Sequence, residues 1–110
     1  MYVLGVDFGG GACKATLLNI DGKVVATSTA EYPTFYGEGG KAEQNPFDWY
    51  DAACKNIKEV IKGIDSKRIK CLCFDAATHT AVLMDEIYNP ICNSVYWTYT
   101  RSVKEKEYLK

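Results

Sequence analysis

The sequence predicts an α/β fold: a three-stranded antiparallel meander followed by a helix and a strand parallel to the first. Three observations carry this. Two apolar runs, Tyr2-Val3-Leu4-Gly5-Val6 and Ala15-Thr16-Leu17-Leu18, flank a glycine-rich turn. Asp21-Gly22 then marks a hairpin before a third β-rich run. Finally, an amphipathic stretch after Pro46 separates the meander from a fourth apolar run, Ile69-Lys70-Cys71-Leu72-Cys73-Phe74.

In order, the first strand is expected over residues 2–7 and the second over 13–20. Asp21-Gly22 is expected as a two-residue turn with φ > 0 at both positions, returning as a third strand over 23–29. Residues 31–45 hold Pro33, Gly37, Gly39 and Gly40 and read as a surface loop. A helix then starts: Asn45 suits the N-cap, Pro46 the first helical position, and Asp48 the positive end of the helix dipole. Apolar residues at Tyr50, Ala53, Cys54, Ile57, Val60, Ile61 and Ile64 recur every three or four positions, and Gly63 offers a stop. A helical crossover makes the strand at 69–74 parallel to its neighbour, the first strand. Short strands are expected at Thr80–Met84 and Ser94–Trp97. Ser102-Val103-Lys104-Glu105 matches a capping box opening a helix over 102–110 that is interrupted at Lys110.

At 110 residues, with 47% hydrophobic, 25% charged and 13% aromatic residues, the chain has the composition of one ordinary folded domain. A net charge of −1, with lysines and acids interspersed, supplies neither the basic footprint of a nucleic-acid binder nor a basic amphipathic face for a membrane. No signal-peptide pattern opens the chain and no run of about 18 apolar residues occurs, so a cytoplasmic location is expected. The five cysteines lie in apolar segments, Cys71-Leu72-Cys73 has the wrong spacing for a zinc knuckle, and only one histidine is present; the thiols are expected as buried small hydrophobes.

Asp7-Phe8-Gly9-Gly10-Gly11-Ala12-Cys13-Lys14 is the segment richest in chemistry. A carboxylate at a strand end, three glycines and a lysine make a turn whose backbone N–H groups can approach phosphate oxygens while the acid attracts a metal ion. It is neither a Walker loop nor a dinucleotide fingerprint, because a strand follows it. A glycine-rich hairpin with an exposed lysine fits the same residues.

Four segments in order resemble the N-terminal part of the FGGY carbohydrate kinases, of the xylulokinase and gluconokinase type. Asp7, Gly9, Gly10 and Lys14 resemble that family's Asp-x-Gly-Thr-x-x-x-Lys phosphate turn. Glu43-Gln44-Asn45-Pro46 with Trp49-Tyr50 resembles its helix start. Thr78-His79-Thr80 with the residues to Asp85 resembles its Met-His-Gly segment, and Tyr96-Trp97-Thr98-Tyr99-Thr100-Arg101 its Trp-x-Asp-x-Arg segment. The resemblance implies a partial ribonuclease-H-like (actin-like ATPase) domain and an ATP-dependent sugar kinase that uses Mg²⁺ and phosphorylates a pentulose or a related polyol or sugar acid. It further implies that Asp7 holds the metal, that Gly9, Gly10, Gly11 and Lys14 meet phosphate, and that Thr78, His79, Trp97, Tyr99 and Arg101 line the sugar pocket. Taken alone, His79 reads as a satisfied polar residue, Trp97 as core, and Arg101 as a solvated charge at a strand end. Asp75 reads either as a ligand group where an open α/β sheet gathers ligands or as a cap for the next turn.

The departures from the family pattern are specific. Gly10 stands where threonine is usual, Ala77 and Thr78 replace a Gln-Met pair, and Tyr99 stands where an aspartate binds sugar; a phenol cannot accept two hydroxyls as a carboxylate does. Family members are several times longer, and no aspartate follows Asp85. No catalytic residue is therefore assigned, and the 110 residues are expected to be a truncated first subdomain, inactive alone, that self-associates through uncovered apolar surface. The alternative is a non-catalytic binding or interaction module on the same fold. A ribonuclease-H-like ATPase acting on nucleic acid is disfavoured by the missing basic patch.

Overall fold

The computed structural model describes residues 1–96, 98 and 100–110, so the two expected site residues Trp97 and Tyr99 lie outside the described residues. The chain divides into two compact units, Met1–Tyr32 with Phe47–Ala77, and Pro33–Pro46 with Thr78–Lys110.

In the first unit, β1 (Tyr2–Phe8), β2 (Ala12–Asn19) and β3 (Val24–Glu31) form the expected meander. Helix α1 (Pro46–Val60) leads through a short 3₁₀ turn to β6 (Ile69–Ala76), which pairs parallel to β1 and completes a sheet of order β3-β2-β1-β6. Strand alternation puts Leu4 and Val6 of β1 and Cys13, Ala15 and Leu17 of β2 on one face, where they pack with Ala52, Ala53 and Val60 of α1. Leu17, Ala15 and Cys13 have no exposed surface.

Asn56 sits in the middle of this apolar seam and is fully buried. Its Nδ2 donates to the Cys13 carbonyl at 2.7 Å and its Oδ1 accepts from Ser28 Oγ at 2.9 Å, which ties the helix to β2 and β3 at one point. The buried face is the expected one at Ala53, Ile57, Val60, Ile61 and Ile64 and differs at its start, where Tyr50 is 70% exposed and Ala52 and Trp49 turn toward the sheet instead. Gly63 takes φ 72° just past the helix, as a C-terminal stop requires.

The hairpin after β2 differs from the expected two-residue turn. Gly22 N–H donates to Asn19 O and Asn19 N–H to Lys23 O, so Ile20, Asp21 and Gly22 form a three-residue loop in which Gly22 alone is left-handed, at φ 80°. The Asn19 side chain decides this by accepting from the amides of Asp21 and Lys23, both at 3.0 Å. The register then shifts between Leu17 and Leu18, and β3 runs two residues beyond its expected end.

Strand β6 is exposed over nearly its whole length, although its composition suits a strand covered on both faces. Leu72 is 48% and Phe74 56% exposed, on the same sheet face as Leu4 and Val6, and the Phe74 ring meets Phe8 with centroids 6.1 Å apart. Cys71 and Cys73 face the other way and are also exposed. The expectation of five buried thiols therefore fails: only Cys13 is buried and Cys54 half-buried, because Cys71 and Cys73 lie on the sheet face away from α1, while Cys92 lies on an exposed turn.

In the second unit, the segment expected as a surface loop, 31–45, carries two strands, β4 (Phe35–Gly37) and β5 (Lys41–Gln44), joined by a 3₁₀ turn. Gly39 and Gly40 accept φ values of 70° and 86°, which makes that reversal possible. β5 also pairs with β7 (Ser94–Val95), giving the order β4-β5-β7. The expected strand at 80–84 is reduced to two single bridges, Ala81 to Val95 and Met84 to Pro90; proline has no N–H with which to extend a ladder. A turn closes between them, where Asp85 Oδ1 accepts from the Ile87 and Asn89 amides; these bonds hold its carboxyl below the usual range. Helix α2 (Val103–Tyr108) forms without the expected capping box, because Ser102 has ψ 33° rather than the extended conformation that aims a cap. No helix among the described residues is long and apolar enough to cross a membrane.

Because Asn56 is fully buried and bonds to the Cys13 carbonyl and the half-buried Ser28 hydroxyl, Asn56→Ala should cost about 2–3 kcal/mol of unfolding free energy, read from the urea midpoint at unchanged m-value. A loss under about 0.5 kcal/mol, the range of ordinary surface substitutions, would mean that the bridge is not formed in solution.

Candidate functional site

The parallel pairing of β1 with β6 brings two carboxylates together. Asp7 and Asp75 are register partners at the carboxyl ends of these strands, and Lys14 is the partner of Asp7 on the β2 side. Lys14, Asp7 and Asp75 thus form one row across three strands, all exposed, on the face opposite α1. Open α/β sheets gather ligands at this end of the strands.

The Asp7 carboxyl beside Asp75, with which it can share a proton, together with loss of hydration, pushes the Asp75 carboxyl above the ordinary range. The cause is physical: two carboxylates in contact keep a proton between them unless another cation takes its place. As a donor set, a pair of adjacent carboxylate oxygens suits a hard divalent ion such as Mg²⁺, which typically takes one or two carboxylates and completes its shell with water or phosphate.

The glycine turn lies beside this row. Gly9 N–H donates to Ala12 O at 2.9 Å, closing the β1–β2 connection over residues 9–11. None of its glycines is left-handed. The close fit is at Gly9, where a Cβ would stand 3.1 Å from the Ala12 carbonyl oxygen; a Cβ at Gly11 would meet nothing within 4 Å, leaving that side of the turn open. Behind the turn, the buried Tyr32 bonds through its hydroxyl to the Gly9 and Ala12 carbonyls.

The remaining expected residues belong to the second unit. Thr78 and His79 are exposed, and His79 Nδ1 lies 3.1 Å from Thr78 Oγ1. His79 is left-handed, at φ 55°, a conformation that costs a residue bearing a Cβ about 1–2 kcal/mol. Arg101 is exposed, with its Cγ 3.6 Å from where a Cβ on Gly39 would lie, and the neighbouring Thr100 N–H donates to Gly40 O at 3.0 Å. Among the described residues, Ser94 Oγ and Thr98 Oγ1 are buried hydroxyls without a hydrogen-bond partner, both within the segment that holds Arg101.

Residue types alone left Asp75 open between ligand and cap, and passed over Tyr32 and Asn56 entirely. A polar residue inside an otherwise apolar helical stripe was the one available signal for Asn56.

A mixed sheet of this order with a crossover helix, and a glycine turn between β1 and β2, define a partial ribonuclease-H-like, actin-like ATPase domain. The sequence matches the FGGY family of carbohydrate kinases, N-terminal domain, over residues 2–110, and the chain belongs to that family. It is 32% identical over 106 residues to a xylulose kinase of Bacillus subtilis, covering 94% of this chain and 21% of that protein. A gluconokinase of the same organism is 32% identical over 101 residues, covering 92% of this chain and 20% of the relative. The crystal structure of gluconate kinase from Lactobacillus acidophilus superposes with a TM-score of 0.85 at 27% identity, over 98% of this chain and 22% of that one. The chain spans about a fifth of the length of the curated relatives it matches.

A carboxyl raised on folding contributes stability below its unfolded pKa and loses it as pH rises through the raised value. Carboxyl-carbon NMR should therefore show Asp75 titrating above the ordinary aspartate range, and returning toward it in Asp7→Asn. An Asp75 titration that Asp7→Asn does not move would dissolve the pair.

Proposed function

We propose that these residues form the nucleotide-phosphate and sugar-binding portion of an ATP-dependent carbohydrate kinase, cytoplasmic, that transfers the γ-phosphate of ATP to a hydroxyl of a pentulose or related polyol or sugar acid. The observation that carries this reading is the row Lys14, Asp7 and Asp75 beside the Gly9–Gly11 turn. Phosphoryl transfer depends mainly on positioning and charge neutralisation. Asp7, with Asp75 beside it, is the group to hold Mg²⁺, directly or through water; the ion, when bound, offsets the charge of the phosphate oxygens. Lys14 and the backbone amides of Gly9, Gly10 and Gly11 are the donors to those oxygens. No residue here is assigned as catalytic base.

For the sugar, the reading takes Thr78, His79 and Arg101, with Trp97 and Tyr99. The left-handed His79 supports it, since strained backbone concentrates at ligand sites, and so do the unsatisfied hydroxyls of Ser94 and Thr98, which hydroxyls of a sugar would suit. Exposed Leu72 and Phe74 favour a second property: the 110-residue chain self-associates along β6, because exposed apolar side chains on an unpaired edge strand are a template for pairing.

Two experiments test these statements. In amide NMR of the chain, Mg-ADP should shift residues 9–14 and a panel of pentuloses, hexonates and polyols should shift the 78–80 and 100–101 amides. Asp7→Asn should weaken Mg-ADP at least about tenfold, or 1.4 kcal/mol, and spare the sugar; His79→Ala should weaken the sugar by roughly 1–3 kcal/mol and spare Mg-ADP. Equal losses for both ligands from either variant would mean that the residues merely hold the fold. Separately, light scattering should give an apparent mass that rises with concentration and falls to the monomer in Leu72→Lys; a wild-type chain that stays monomeric at high concentration would rule self-association out.

A further inference from the structure

Tyr32 stands one residue beyond β3 with its ring buried, at 6% exposure, and both its hydroxyl and its backbone N–H reach the glycine turn. Its backbone N–H donates to Gly11 O at 3.1 Å. Its hydroxyl lies within bonding distance of Gly9 O and, at 3.1 Å, of Ala12 O, which also accepts from Gly9 N–H. The carbonyls of Gly9, Gly11 and Ala12 are thus all drawn to the Tyr32 side. In a planar trans peptide the N–H of the next residue points opposite to the carbonyl, and no cis bond occurs among the described residues. Holding the Gly9 carbonyl back therefore turns the Gly10 amide toward the other side of the turn, while the Gly11 carbonyl, held by the Tyr32 backbone, turns the Ala12 amide toward β1 and the inside of the turn.

Peptide units flanked by glycine rotate at little steric cost, so nothing in the turn's own sequence prevents the reverse arrangement. In that arrangement the Gly9 carbonyl oxygen would face the ligand, and its partial negative charge would repel a phosphate that the Gly10 amide attracts. We infer that Tyr32 is a positioning residue: its phenolic hydroxyl sets the polarity of the 9–12 turn so that the Gly10 amide faces an anionic phosphate ligand. The inference rests on the phosphate reading of this turn.

The test uses the 110-residue chain, inorganic pyrophosphate with Mg²⁺ as the probe, and Tyr32→Phe, which keeps the ring and removes only the oxygen. Without ligand, amide exchange at Gly10, Gly11 and Ala12 should quicken by about fivefold to tenfold in the variant, the size of one lost hydrogen bond, while amides of β1, β2 and α1 keep their rates. Pyrophosphate affinity should fall by a similar factor. Gly9→Ala, which crowds the Ala12 carbonyl from within the turn and leaves the tyrosine intact, should weaken pyrophosphate in the same way and decides the matter if Tyr32→Phe fails to fold. If pyrophosphate shifts no amide between residues 9 and 14 of the wild type, the phosphate reading falls and the inference with it. If the wild type responds and Tyr32→Phe, or where it does not fold Gly9→Ala, responds equally well, the inference alone is overturned. Faster exchange spread through the whole unit would assign Tyr32 to packing only and overturn it as well.

Discussion

The buried amide of Asn56 is the interaction on which the first unit depends. An apolar helix face can slide or rotate over an apolar sheet at small cost, because dispersion and hydrophobic burial are weakly directional. One fully desolvated side chain bonded to the Cys13 carbonyl and the Ser28 hydroxyl removes that freedom, since any shift of α1 would strip the buried Asn56 amide of both partners. Cys13 is the residue after Ala12, so the point at which the helix grips β2 is also the exit of the glycine turn. The same anchor that selects the helix position therefore steadies one end of the turn, and Tyr32 steadies its interior.

The charged row on the opposite face is a cost that the fold carries. Two carboxylates held in contact at neutral pH repel each other, and the raised Asp75 pKa is the sign of it. Lys14 offsets part of that field from the β2 side. The pair stands at the carboxyl ends of β1 and β6, where open α/β sheets gather ligands. The sheet geometry makes it possible: β1 and β6 run parallel and end together, so one residue from each strand reaches the same edge.

Much of the architecture was legible because its signals are local. The apolar runs of β1 and β2, the Asn45-Pro46 helix start, the Gly63 stop and the parallel β6 follow from turn chemistry, capping and crossover rules that act within a few residues. Where local signals competed, the reading slipped. Asn19 captured two amides and converted the Asp21-Gly22 turn into a three-residue loop, and at the start of α1 Trp49 and Ala52 took the buried side in place of Tyr50. Between Tyr32 and Gln44 the glycines looked like loop, yet at Gly39 and Gly40 they supply the left-handed residues of a hairpin.

By itself the sequence carried the first sheet, its helix and the glycine turn, since apolar periodicity and turn chemistry are local, and its motifs carried the resemblance to the family. Tertiary structure alone decided which side chains meet. Asp7 and Asp75 are far apart along the chain and become neighbours only through the β1–β6 register; Tyr32 reaches the glycine turn only because β3 returns alongside β2; Leu72 and Phe74 are exposed because α1 lies over other strands, and Cys71 and Cys73 because they face the other side of the sheet. Pairing register and coverage are sums over many long-range contacts, none of which leaves a mark on its own few residues, and that is why they had to be seen.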